Sequence, residues 1–163
     1  VSGVEGRASV AVALLWALAA SGCDGRRAEE LARIDEAPAL PPPADELEMA
    51  IRRRAPNEAL LMVPHDAPVR GELAQGQRRD FTAVLRPGLC YKVLGEGGAG
   101  VGDLDLVAYD PHGVLLQRDA TQHPHPALGI DRPICPAEPG LYRFEIRMVQ
   151  GGGPYAVQVW VSQ

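Results

Sequence analysis

The sequence predicts an all-β fold, an antiparallel jelly-roll-like β-sandwich of about seven to eight strands. Three observations predict it. Apolar side chains alternate with polar ones over several short runs, the period of a strand with one buried face. Glycine (18) and proline (15) are abundant, which favours many turns over long helices. Turn sequences such as Asp110-Pro111-His112-Gly113 punctuate the runs at short intervals.

The clearest pair of strands lies near the C-terminus. Tyr142, Phe144, Ile146 and Met148 fall on one face, and Arg143, Glu145 and Arg147 on the other. Gly151-Gly152-Gly153-Pro154 turns the chain, and Tyr155, Val157, Val159 and Val161 share the next face. Earlier, Phe81, Ala83 and Leu85 alternate before the Arg86-Pro87-Gly88 turn, followed by Tyr91 and Val93. Leu104, Leu106 and Ala108 alternate with Asp103, Asp105 and Val107, and residues 114–118 return after the Asp-Pro-His-Gly turn. Residues 69–73 add another strand. The glycine-rich stretch 95–102 has no following Lys-Ser or Lys-Thr and no helix, so it reads as a flexible loop and not as a phosphate cradle.

The first segment reads as an address. Residues 8–20 form an uncharged apolar run behind Arg7, too short to span a bilayer comfortably and of the length of a signal-peptide core. Ala20-Ser21-Gly22-Cys23 resembles the bacterial lipobox, with Ala20 where leucine is usual. Small residues let a peptidase reach an extended backbone, and only cysteine offers the thiol that becomes a thioether to diacylglycerol. Residues 1–22 are therefore expected to be a lipoprotein signal peptide and Cys23 a lipidated, palmitate-bearing N-terminus that holds the protein to the membrane of a bacterial cell envelope. An ordinary secretory signal cut within Ala-Leu-Ala-Ala, or a buried helix, is the competing reading. Asp24 resembles an inner-membrane retention signal of enteric bacteria; the choice between inner and outer membrane stays open.

Residues 23–59 are expected to be a tether with short helical segments. Pro41-Pro42-Pro43 favours a stiff extended spacer. Leu47, Ala50, Ile51 and Arg54 then form a modest amphipathic stripe on a helix over residues 44–54, expected to dock on the sandwich and to close at Pro56. Residues 60–163 are the expected β-sandwich domain. Cys90 and Cys135 are an even pair in an exported chain once Cys23 carries lipid, and a disulfide between them is the expectation, against two free buried thiols.

The residues from Asp80 to Leu94, with their Pro-Gly turn, resemble a known family. So do the Asp103-Leu104-Asp105-Leu106 strand with its Asp-Pro-x-Gly turn, and Gly140-Leu141-Tyr142 before the final hairpin. Together, over about residues 67–161, they are similar to the pre-peptidase C-terminal domain family and its relatives in bacterial envelope proteins. The resemblance implies a compact β-sandwich that accompanies secreted peptidases; no peptidase domain is present in this sequence. Some relatives bind calcium, and Asp103, Asp105 and Asp110 are weak calcium candidates as hard oxygen donors at a sandwich edge. The competing reading is a solvated strand edge and an Asx turn.

No persuasive catalytic set emerges. His123-Pro124-His125 has the spacing of a metal pair on an extended segment, but no third ligand accompanies it, and His65 and His112 lie elsewhere. A metal-dependent enzyme using His123 and His125 is the minor alternative. Ser162 is the sole serine beyond the signal segment, which leaves a serine hydrolase without a nucleophile. A formal net charge of −5 argues against nucleic acid, and the basic run Arg52-Arg53-Arg54 reads as a solvated helix end. The sequence thus points to a non-catalytic binding or assembly module without a cofactor, with an envelope protein or a glycan as partner. Residues 95–102 and 120–134 are its expected contact loops. A glycan would need exposed aromatics, of which Trp160 and Tyr109 are the candidates. A calcium-stabilised structural envelope protein is the other reading.

Overall fold

The computed structural model describes residues 45–119 and 121–163. The expected signal peptide, Cys23 and most of the expected tether lie outside the described residues. The described residues form one helix, α1 (Glu46–Glu58), and nine strands: β1 (Met62–Pro64), β2 (Val69–Leu73), β3 (Arg78–Leu85), β4 (Tyr91–Gly97), β5 (Val101–Tyr109), β6 (Leu115–Arg118), β7 (Ala127–Leu128), β8 (Gly140–Gly151) and β9 (Gly153–Ser162). All strand pairs are antiparallel. One sheet runs β1-β9-β4-β7, with β2 also on β9; the other runs β3-β8-β5-β6. The fold is the expected all-β sandwich. Two of its nine strands, β1 and β7, have three and two residues and leave little trace in a sequence pattern.

The core lies between the sheets. Tyr142, Phe144, Ile146 and Met148 on β8 point into it, with Leu104, Leu106 and Ala108 of β5 and Leu85 of β3. Tyr91 and Val93 of β4 and Tyr155, Val157 and Val159 of β9 close it from the other side. Phe81 stacks on Phe144 with ring centroids 5.1 Å apart. Strand alternation therefore identified the inward faces correctly.

It did not identify what covers the outward faces. Leu94, Ala156 and Trp160 lie on the outer face of the β9-β4 sheet and are buried there against Ile51 and Ala55 of α1 and Ala59 at its C-cap, one stripe at i, i+4, i+8. Asp45 caps the helix: its Oδ1 accepts from Glu48 N at 2.9 Å, and Glu46 and Glu48 in the first turn suit the helix dipole. Pro56 does not close the helix, which runs on to Glu58. A proline there removes one intrahelical donor, and the packed Ile51–Ala55–Ala59 stripe holds the last turn in place. Ala59 N bonds to Ala55 O, and Lys92 Nζ caps Glu58 O at 2.8 Å. The compact unit spans Pro42–Gln163, so this helix belongs with the strands and not with the tether.

The outer face of β5 is buried as well. Asp103, Asp105 and Val107 are at most 7% exposed. Their cross-strand neighbours are long: Arg118 lies opposite Val107, and Arg147 opposite Asp105. Arginine stems fold over the strand and keep their charged ends at the surface.

Candidate functional site

The stretch 95–102 is not a flexible loop. Gly95–Gly97 belong to β4 and Val101–Gly102 to β5, leaving a short turn between. The glycines are there because another segment presses on β4. A Cβ on Gly95 would meet the Pro126 ring at 2.8 Å, and one on Gly97 would meet Val101 at 2.5 Å and Pro124 at 3.1 Å. The His123-Pro124-His125-Pro126 segment lies along β4 as an extra strand, with Gly95 N bonding Pro126 O at 2.8 Å and Gly97 N bonding Pro124 O at 2.7 Å. Proline can accept in such a pairing but cannot donate. Pro126 thus leaves Gly95 O without its cross-strand amide, and Arg54 of α1 fills that place, Nη1 donating to Gly95 O at 2.6 Å.

Arg54 also donates to His125 O at 2.9 Å and to both carboxylate oxygens of Glu58, and pairs with Glu96 at 3.3 Å. His125 Nδ1 lies 2.9 Å from Glu96 Oε1. The basic run is therefore not simply a solvated helix end: Arg53 is exposed and Arg52 pairs with Glu48, while Arg54 ties helix, strand and loop together. Nothing in the sequence ties Pro124 and Pro126 to Gly97 and Gly95, earlier in the chain, or either pair to Arg54.

The two histidine rings do fall together, with centroids 5.9 Å apart. His123 Nδ1 accepts from His125 N at 3.2 Å, so the neutral ring carries its proton on Nε2. The pair does not offer two lone pairs to one ion. The expected calcium candidates are not one set. Asp110 forms an Asx turn, its Oδ1 accepting from His112 N and Val114 N. Asp105 accepts from Arg118 Nη2 at 3.2 Å, and Asp103 lies two residues before it on the same buried face with Oδ1 lacking a partner. Among the described residues, no group of three His, Cys, Asp or Glu side chains is placed to hold a metal ion. These donors do not fit calcium. Burial pushes the Asp105 carboxyl above its usual range, aided by Asp103 and Asp119 and opposed by Arg118. Glu145 goes the other way, held low chiefly by Arg147, whose Nε lies 2.5 Å away.

The expected disulfide is present. Cys90 and Cys135 are bonded, with Cα atoms 4.2 Å apart. Tyr91 and Ile134 pair beside it through two backbone hydrogen bonds, fixing the end of the 120–134 loop to the start of β4. The rest of that loop is held by side chains from the β6 edge. Asp119 Oδ1 accepts from Thr121 N and Oγ1, and Oδ2 from Ala127 N. Gln117 Oε1 accepts from Gly129 N at 2.8 Å while its Nε2 donates to Arg132 O at 2.7 Å.

Along this side of the sandwich runs a groove of about 880 Å³, lined by Arg54, Glu58, Arg118, Asp119, His123 and Arg132 among others, with Leu116 and Ile130 partly exposed in it. A second hollow of about 710 Å³, which reaches Pro133, Cys135 and Tyr142, shares Leu116, Gln117 and Arg132 with the first. Residues 121–134 therefore supply much of the concave surface. Of the two aromatics considered for glycan stacking, Trp160 is 4% exposed beneath α1, and Tyr109 is covered by the Arg143 guanidinium 3.7 Å from its ring centre.

No family model matches the chain, and no curated protein sequence does. Among solved structures, it is similar to PliG of Aeromonas hydrophila, a periplasmic lysozyme inhibitor of g-type lysozyme, at 14% identity and a TM-score of 0.44, over 61% of this chain and 88% of that one. That likeness is too distant to say what this chain binds.

Proposed function

We propose that the chain is a lipid-anchored protein of the bacterial envelope whose sandwich is a non-catalytic binding module for a protein partner. One observation carries the binding half of this reading: a groove of about 880 Å³ lies on a long loop that three separate devices hold in place. The Cys90–Cys135 bond fixes its end, Asp119 its start at Thr121, and Arg54 and Gln117 its middle at His125 and Gly129. Long loops held on a rigid sandwich are where binding surfaces are commonly built. Arg54 is engaged with Glu58 and Asp119 with Thr121, an arrangement suited to shaping the groove's surface rather than to moving protons. A protein suits this surface better than a glycan, because Trp160 and Tyr109 are covered and exposed Leu116 and Ile130 line the groove. The anchoring half rests on Ala20-Ser21-Gly22-Cys23.

The two halves are tested separately. A clickable palmitate analogue fed to expressing cells labels the wild type and not Cys23→Ala; label retained in the variant refutes the anchor. Affinity capture from detergent-solubilised envelopes, with wild type beside an Ile130→Asp/Arg132→Glu variant, tests binding. A discrete partner captured by the wild type and lost in the variant is expected. Equal capture by both would place the binding surface elsewhere.

A further inference from the structure

The groove has a specific hydrogen-bond character. β6 and β7 are the edge strands of their sheets, on the same side of the sandwich. In an antiparallel pair, alternate residues turn both backbone groups toward the neighbour and the others turn both away. Gly95 N bonds Pro126 O, and Leu128 pairs with Val93 in the same register, so Ala127 and Gly129 face away from β4 and into the groove. Asp119 N bonds Leu106 O, so Arg118 likewise turns its N–H and C=O away from β5.

A side-chain carboxamide offers one acceptor and one donor of the same chemical kinds as the C=O and N–H that a single residue of a strand turns to the same side. That of Gln117 accepts from Gly129 N and donates to Arg132 O, the two bonds that one residue of an extended chain would make. It stands where the two hollows meet, and they continue one another on either side of it. The groove-facing amides of Ala127 and Gly129 are held only by the side chains of Asp119 and Gln117, and edge strands whose backbone groups have no strand partner are sites of strand addition.

We propose that this seam binds an extended segment of a partner protein, whose backbone takes the Gly129 N–H and Arg132 C=O that Gln117 now holds and pairs with the free edge at Arg118. The segment sets an apolar side chain against Leu116 and Ile130, which are 38% and 42% exposed. It carries an acidic residue beside that side chain, because the Arg132 guanidinium has no ion-pair partner among the described residues. This deepens the binding reading above by naming what kind of partner surface is recognised.

The test selects a random twelve-residue peptide phage library on the purified full chain in detergent. Enriched peptides are synthesised and measured against wild type, Leu116→Arg, Arg132→Glu and, as a distant control on the opposite edge, Val84→Arg. The expected peptides combine an apolar and an acidic residue. They bind Leu116→Arg and Arg132→Glu about tenfold or more weakly, and bind Val84→Arg as the wild type. Methylating their backbone nitrogens one at a time costs affinity at the positions whose N–H groups face Arg132 C=O and Arg118 C=O and not at the positions flanking the seam, the signature of local backbone pairing. No enrichment, equal binding to Leu116→Arg and Arg132→Glu, or indifference to methylation overturns the proposal. Arg132→Glu keeps the test valid if Leu116→Arg fails to fold. An envelope partner captured by the wild type, lost in the Ile130→Asp/Arg132→Glu variant but unaffected by Leu116→Arg, would leave the binding reading standing and remove only the strand-addition mode.

Discussion

Arg54 and Gly95 are joined by a hydrogen bond of 2.6 Å that exists because Pro126, opposite Gly95, has no amide to give. An arginine forty-one residues away in sequence completes a strand pairing that proline leaves incomplete. Arg54→Met should therefore destabilise the domain by about 1–3 kcal/mol, the cost of leaving a largely buried acceptor unpaired. It should also speed amide exchange at Gly95 and Gly97, where the His123–Pro126 segment sits on β4. Arg54→Lys should recover only part of this, because one ammonium cannot reach Gly95 O, His125 O and Glu58 in a fixed fork. Denaturant melts and exchange at those two amides check both statements.

The outer face of the β8-β5 sheet holds two carboxylates that respond to pH in opposite senses. Asp105 is raised by burial, so its neutral form is favoured on folding; the stability it brings is present at acid pH and lost as pH rises through its folded value. Asp105→Asn should thus melt above the wild type at neutral pH, the difference closing on acidification below the ordinary aspartate range. Glu145 is lowered, chiefly by Arg147, so its contribution is present above the ordinary glutamate range and lost as pH falls through its folded value. Glu145→Gln should melt below the wild type at neutral pH, and this gap too should close in acid. Thermal melts from pH 3 to pH 8 distinguish the two signs.

The Cys90–Cys135 bond spans 45 residues of sequence. Closing a loop of that size restricts the unfolded chain by about 4 kcal/mol on the chain-entropy account. Reduction should lower the melting temperature by roughly 10 °C or more. Exchange should rise first over residues 127–135, which the bond and the Tyr91–Ile134 pairing hold in place. A reduced protein that melts as the oxidised one does would show that the rest of the loop's contacts suffice.

Calcium should not stabilise the domain. Asp105, in the middle of β5, is committed to Arg118, and Asp110, just beyond the end of that strand, to its own turn. Melts in millimolar calcium and in chelator should coincide; a rise of several degrees with calcium would restore the calcium-stabilised reading and give the unpartnered Asp103 oxygen an occupant.

Period-two alternation made the core legible, because an inward face must be apolar whichever strand pairs with it: Phe144, Ile146 and Met148 are fully buried as their spacing requires. Cys90 and Cys135 were legible for a similar reason, since an exported pair has few other uses. Trp160 was not. Its face of β9 reads as the outer one, and only the docking of α1, whose stripe comes from residues 51–59, makes that face a second core. The groove was legible only as a long loop. Its shape depends on Arg54, Glu96, Gln117 and Asp119, which are ordinary surface residue types until the pairing of β4 with the 123–128 segment brings them together.

The central claim is that an anchored sandwich binds a protein through the loop groove. A photo-crosslinking amino acid placed at Ile130 in the full chain, irradiated in intact cells, tests it most directly. The account predicts a discrete higher-mass adduct in the membrane fraction from position 130, and none from the same residue at Val84 on the far edge. Adducts of equal yield from both positions, or none from position 130, would contradict it.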